Sequence, residues 1–140
     1  MAISTSERSR RWTGLALFSF GFRPFFLFGA LWASLAMLLW IMMLSGLFSL
    51  PTRFDTISWH AHEFLFGYLG AIIAGFLLTA VPNWTGRLPV VGWNLAGLFG
   101  LWIAGRIGIA TAALLPSGVG TLIDLSFPVV LAAALLREIL

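Results

Sequence analysis

The sequence predicts an all-α fold: a polytopic membrane helical bundle with four transmembrane helices. Three observations carry that prediction. Hydrophobic residues make up 60% of the 140 residues and charged residues only 9%, where soluble domains carry about 25% charge. The mean hydropathy is +1.00. Four apolar stretches reach the roughly 20 residues that a helix needs to cross a bilayer. A chain of this length cannot bury so much apolar surface in one water-soluble core. The composition therefore excludes a soluble enzyme, a nucleic-acid-binding module and a disordered segment, and it makes the lipid bilayer the first partner.

The first span, at about 24–48, carries no charge and opens at Pro24, whose missing N–H costs nothing in a first helical turn. The second, at about 57–81, is expected to stop before Pro82–Asn83. The third runs over about 91–115 and is closed by Pro116–Ser117–Gly118; the fourth covers about 119–136. Short connections leave no room for a soluble domain, so residues 1–140 read as a single transmembrane domain. The apolar run after Arg8, Arg10 and Arg11 is too long for a signal peptide and lacks a small-residue cleavage site, which makes it an uncleaved anchor. Small residues recur every fourth position at Ala96, Gly100, Ala104, Gly108 and Ala112 in the third span, and at Gly67, Ala71 and Gly75 in the second. Both ladders predict close helix approach. Trp59, Trp84 and Trp93 are expected at the membrane interfaces.

All eight cationic side chains are Arg, against five acids, for a net charge of +3. Scattered between apolar runs, these arginines read as topology signals rather than a nucleic-acid footprint. Arg8, Arg10, Arg11, Arg23, Arg87 and Arg137 fall on one side of the membrane and Arg53 on the other, which predicts a cytoplasmic N-terminus. Cysteine is absent. That excludes disulfides, thiolate metal ligands, Cys-ligated iron–sulfur clusters and haem attached through C-x-x-C-H. Any metal is left to His, Met, carboxylate or Tyr.

Ionisable groups inside spans are costly and are functional candidates by default. His60, His62 and Glu63 stand near the start of the second span, with Tyr68 beyond them. Arg106 stands in the third span and Asp124 in the fourth, and all are expected in the outer half of the membrane. His60 and Glu63 share a helix face, whereas His62 lies roughly 200° around from His60. The two histidines therefore cannot chelate one metal from a regular helix: they serve different centres, or the helix begins only after His60. Glu63 can orient a ligating His of another helix, and Glu63 or Asp124 can pair with Arg106. Arg106–Asp124 reads most simply as a structural ion pair. Met37, Met42 and Met43 approach the same half and are soft copper ligands, although Met is ordinary on a lipid-facing helix. Tyr68 reads as a packing residue.

Three blocks carry a resemblance. Phe20–Gly21–Phe22–Arg23–Pro24–Phe25–Phe26–Leu27 resembles the N-terminal signature of NnrS proteins. Trp59–His60–Ala61–His62–Glu63 with Phe66–Gly67–Tyr68 resembles their second-span motif. The stretch from Ala74–Gly75–Phe76–Leu77–Leu78–Thr79 through Ala80–Val81–Pro82–Asn83–Trp84–Thr85–Gly86 resembles the family's next segment. Phe64 stands where the family usually has Met. The resemblance implies a haem- and copper-containing, many-span protein of the bacterial inner membrane, linked to denitrification and to protection against nitric oxide. It makes His60 and His62 cofactor-binding candidates, and His60, His62 and Glu63 the metal set. Neutral imidazole suits both haem iron and copper. Arg23 is expected to pair with a haem propionate or to serve topology alone. The chain then looks like the N-terminal third of a longer protein, so further helices of that chain, or a homo-oligomer, are expected partners. Two other readings stand beside this one: a transporter or permease-like module using the same polar groups as a proton or substrate path, or a fragment that inserts and does little else.

Overall fold

The computed structural model describes residue 7 and residues 11–140. The arginines at positions 8 and 10 lie outside the described residues. Four helices are long and apolar enough to cross a membrane: α1 (Phe22–Leu44), α2 (Thr56–Thr85), α3 (Trp93–Ala110) and α4 (Val119–Ile139). No strand occurs among the described residues. Short 3-10 turns at Ala16–Ser19 and Ala112–Leu114 precede α1 and follow α3.

The ends of the helices follow local chemistry. Pro24 is the third residue of α1, still in the first turn where no intrahelical N–H bond is required. Asp55 caps α2, its Oδ1 accepting from the backbone N–H groups of Ile57 (3.0 Å) and Ser58 (3.1 Å). The second span does not stop before Pro82. It runs through this buried proline to Thr85 and closes on Gly86 in the left-handed region (φ 69). In a lipid-embedded bundle the packing of neighbouring helices carries a proline's missing N–H; the Thr79 and Thr85 hydroxyls bond the Gly75 and Val81 carbonyls, not the Leu78 carbonyl that Pro82 leaves without its usual donor. The third span is shorter than expected: its last turn tightens to 3-10 geometry after Thr111.

The bundle packs α1 against α2, α2 against α4, and α4 against α3 most extensively. Phe25, fully buried, meets the rings of Phe99, Trp102 and Phe127 at 5.9, 6.5 and 5.6 Å between centroids. Leu78, Leu95, Leu98 and Leu131 complete this cluster. Because lipid tails are as apolar as leucine, such contacts hold helices together by close packing rather than by expulsion of water.

The small-residue ladder of α2 does what its spacing predicts. A methyl on Gly67, Gly75 or Gly29 of the facing helix would crowd α1 or α2 side chains. The ladder of α3 does so only in part. Gly108 lies against Gly120 of α4, where a Gly120 Cβ would sit 2.6 Å from the Gly108 carbonyl oxygen. Gly100 faces open space, and the contact with Asp124 is made by Gly105, which is off the predicted ladder. Four-residue spacing drifts around a helix of 3.6 residues per turn, so its upper and lower members cannot face one neighbour. Trp84 and Trp93 are 71% and 81% exposed, as interface anchors should be, but Trp59 is fully buried. It packs with Ala36 and Ile109 instead, because α1 and α3 close over that face of α2.

Candidate functional site

The start of α2 sets the site. From the Asp55 cap the helix is regular to His62, then widens into a π-helical segment over Glu63–Leu69. Such segments are rare and recur at functional sites. The helix begins before His60, so both histidines are on it, and they point apart as their spacing predicts. His60 turns to α1 and stacks on Trp40, with centroids 4.0 Å apart and planes 11° from parallel. His62 turns towards α4, between Phe66 (4.7 Å) and Phe54 (5.1 Å).

Glu63, 1% exposed, joins three helices. Its Oε2 accepts from the indole N–H of Trp32 on α1 at 2.8 Å and from Nη1 of Arg106 on α3 at 3.0 Å. Its Oε1 lies 3.3 Å from Nδ1 of His62. Arg106 gives its other terminal nitrogen, Nη2, to Oδ1 of Asp124 on α4, and Oδ2 of Asp124 is 3.1 Å from Nε2 of His62. The result is a closed ring of four side chains, His62–Glu63–Arg106–Asp124. Both ring nitrogens of His62 face carboxylate oxygens, and only the imidazolium can donate from both. Two cations then balance two anions, which is how buried charge is tolerated. Gly67 leaves room for the ring: a Cβ there would lie 2.7 Å from the Trp32 nitrogen, 2.8 Å from Arg106 Nη1 and 2.9 Å from Glu63 Oε2. The Gly67 carbonyl accepts from the indole N–H of Trp102 at 3.0 Å.

The expected Arg106–Asp124 pair is therefore present, and Glu63 pairs with the same arginine rather than in its place. No spacing or motif marks His62 as the residue that closes the ring, or Trp32 as the anchor of Glu63. The site is also shallower than the span limits imply. Arg106 lies about one turn, ~6 Å at 1.5 Å per residue, inside the end of α3. Topology alone does not account for Arg53. Its Nε and Nη2 donate to the Ala112 and Leu115 carbonyls at 2.9 and 3.0 Å, tying the two connections at this end together.

His60 stands outside the ring. Its Nδ1 is buried with no hydrogen-bond partner, as are the indole nitrogens of Trp40 and Trp59 beside it. Met43 packs in the same cluster, whereas Met37 and Met42 are 43% and 41% exposed on the outer face of α1. Arg23, at the opposite end of the bundle, donates to the Ala16 carbonyl (2.9 Å) and the Ser19 hydroxyl (2.8 Å) and lies over the Phe20 ring. Tyr68 packs against Phe64. Among the described residues, no group of three or more His, Asp or Glu is arranged to hold a metal ion.

A family model described as NnrS protein matches residues 16–140. No curated protein and no solved structure matches the chain.

Proposed function

The chain belongs to the NnrS family, and from that premise we propose that it is a haem- and copper-associated integral membrane protein of the bacterial inner membrane that acts in the response to nitric oxide. The observation that carries the reading is the unpartnered, buried Nδ1 of His60, whose ring stacks on Trp40. Buried polar atoms are rarely left without a partner, and an imidazole nitrogen with a free lone pair is a metal ligand in waiting.

The donors sort by availability. His60 fits a haem iron or a copper ion. His62 and Glu63 do not fit while the ring is closed, because every one of their donor atoms is already engaged within it. Their task in this reading is to fix α2 against α1, α3 and α4, so that His60 is held in one orientation. The haem or copper, when bound, supplies the centre that coordinates a small diatomic ligand; the protein supplies the fixed imidazole and the dry aromatic wall. Arg23 serves topology, with Arg11, Arg87 and Arg137, at a cytoplasmic end, and Arg53 marks the opposite side.

The test is an absorption spectrum of the purified protein with haemochrome and copper quantitation on the same sample. Haem and copper near stoichiometric amounts support the reading. A folded protein that takes up neither when expressed with both available contradicts it.

A further inference from the structure

A groove of about 600 Å³ runs between the start of α3 and the end of α4, at the end of the bundle away from the four-residue ring. Its polar side chains, Asn94, Arg137 and Glu138, gather at its mouth. Beyond them the lining is apolar, with Gly97, Leu98 and Leu101 on α3 and Val130, Ala133 and Ala134 on α4. The groove runs ~12 Å along α4 from Glu138 to Val130, at 1.5 Å per residue. Small residues keep it open, since a Cβ on Gly97 would meet nothing within 4 Å.

Glu138 is the group left without an adequate partner. It is 7% exposed, and its one polar contact among the described residues is Nη2 of Arg137 at 3.5 Å. That distance is too long for a charge-assisted hydrogen bond. Neither carboxylate oxygen is sealed inside the protein, and what remains accessible of Glu138 lines the groove. Arg137, 82% exposed, has its guanidinium free to take a second anion. Arg87 is held beside it, its Nη1 donating to the Arg137 carbonyl at 2.9 Å. The exposed Trp93 stands at the same level, as aromatic residues do where they meet lipid headgroups.

These charges define the ligand. Two guanidiniums beside one buried carboxylate match a molecule that carries a phosphate and a cationic donor close together, above an apolar tail. A free inorganic anion leaves both Glu138 and the apolar floor unmatched. An anionic phospholipid sets more negative charge against Glu138, and a choline headgroup has no N–H to give. A primary ammonium brings three donors on a short link from its phosphate. Basic pockets between transmembrane helices bind lipid headgroups. We propose that this groove binds a phospholipid with a primary-ammonium headgroup, phosphatidylethanolamine. Its phosphate sits on Arg137 and Arg87, its ammonium donates to Glu138, and one acyl chain lies over Gly97.

The test is native mass spectrometry of the full chain, delipidated in detergent, with ethanolamine, choline and glycerol phospholipids of identical acyl chains in competition. Wild type is expected to retain the ethanolamine lipid about tenfold over the other two, the difference that a hydrogen bond to a charged group makes. Glu138→Gln is expected to lose that preference while still holding lipid. Gly97→Leu and Ala133→Leu fill the groove from its two walls at uncrowded positions. Each is expected to weaken retention of all three lipids about tenfold, as blocking the burial of a few methylenes does. No preference in wild type, a preference that survives Glu138→Gln, or retention unaffected by both groove-filling variants overturns the proposal. A preference for the glycerol lipid overturns it too, reducing the mouth to a basic surface. So does displacement by phosphoethanolamine alone at comparable concentration, which would assign the groove to a soluble ligand.

Discussion

Arg106→Met gives the sharpest account of what holds the bundle together. The substitution preserves apolar volume but removes the guanidinium between Glu63 and Asp124, which are 1% and 4% exposed. Two charge-assisted hydrogen bonds disappear, and two buried carboxylates lose their common cation. Breaking a buried pair in this way costs about 3–5 kcal/mol, chiefly through the unpaired charge that remains. Here Glu63 keeps Trp32 and His62, and Asp124 keeps His62. The expected loss is therefore near the lower end, about 3 kcal/mol. Reversible unfolding in mixed micelles, followed by circular dichroism, measures it. A triple variant, Glu63→Gln with Arg106→Met and Asp124→Asn, removes both carboxylates and the guanidinium together, leaving amides that can accept from Trp32 and either accept from or donate to a neutral His62. It is expected to recover at least half of the loss, because a whole buried ion cluster is often replaceable without cost. A single variant within about 1 kcal/mol of wild type, or a triple variant no better than the single one, would mean that unpaired carboxylates are not what destabilises the bundle.

Other substitutions test the fold around the ring. Gly67→Ala places a methyl against Trp32, Arg106 and Glu63 and is expected to cost about 1–3 kcal/mol in the same unfolding assay, whereas Gly70→Ala, whose nearest neighbour would be at 3.7 Å, is expected to be tolerated. Gly120→Ala meets the Gly108 backbone and is expected to lower thermal stability markedly, while Gly100→Ala, facing open space, is not. Asp55 has a pH signature. Hydrogen bonds from Ser58, first its side chain and then its backbone N–H, with Ile57 adding to them, hold its carboxyl below the usual Asp value. A lowered folded-state value means the ionised cap adds stability above the usual range near 3.9, and that contribution is lost as pH falls through the lowered value. Asn caps without titrating. The stability of wild type relative to Asp55→Asn should therefore fall on acidification below about pH 4; parallel curves would show that ionisation of Asp55 adds no stability.

The helical class and the number of spans are legible because lipid imposes a length and a composition on every crossing segment. The ends are less so. Pro82 reads locally as a stop, but a buried proline in a bundle is carried by its neighbours, and α2 continues to Thr85. Trp59 reads as an interface anchor from its place near the predicted start of the second span, but α1 and α3 cover it, and coverage is a tertiary fact. In the site, the spacing of His60 and His62 predicts that they point apart, but it groups Glu63 with His60, whereas the π-helical segment that starts at Glu63 joins this carboxylate to His62. The spacing does not say which helix each will meet. The contribution of Trp32 is invisible for the same reason, since one indole on an apolar helix resembles any other until a carboxylate is placed beside it. The π segment leaves no legible mark. Its Gly67 reads as one more small residue, and only the structure shows that a larger one leaves no space for the ring.

In the proposed function two histidines two positions apart divide the labour, His60 as ligand and His62 as part of the ring. The direct measurement compares His60→Ala and His62→Ala for haem and copper content and for unfolding stability in the same preparations. His60→Ala is expected to lose cofactor while staying close to wild-type stability, and His62→Ala to lose stability first, with cofactor retained in the fraction that remains folded. If His62→Ala abolishes the haem or copper signal in fully folded protein while His60→Ala leaves it intact, the assignment is contradicted.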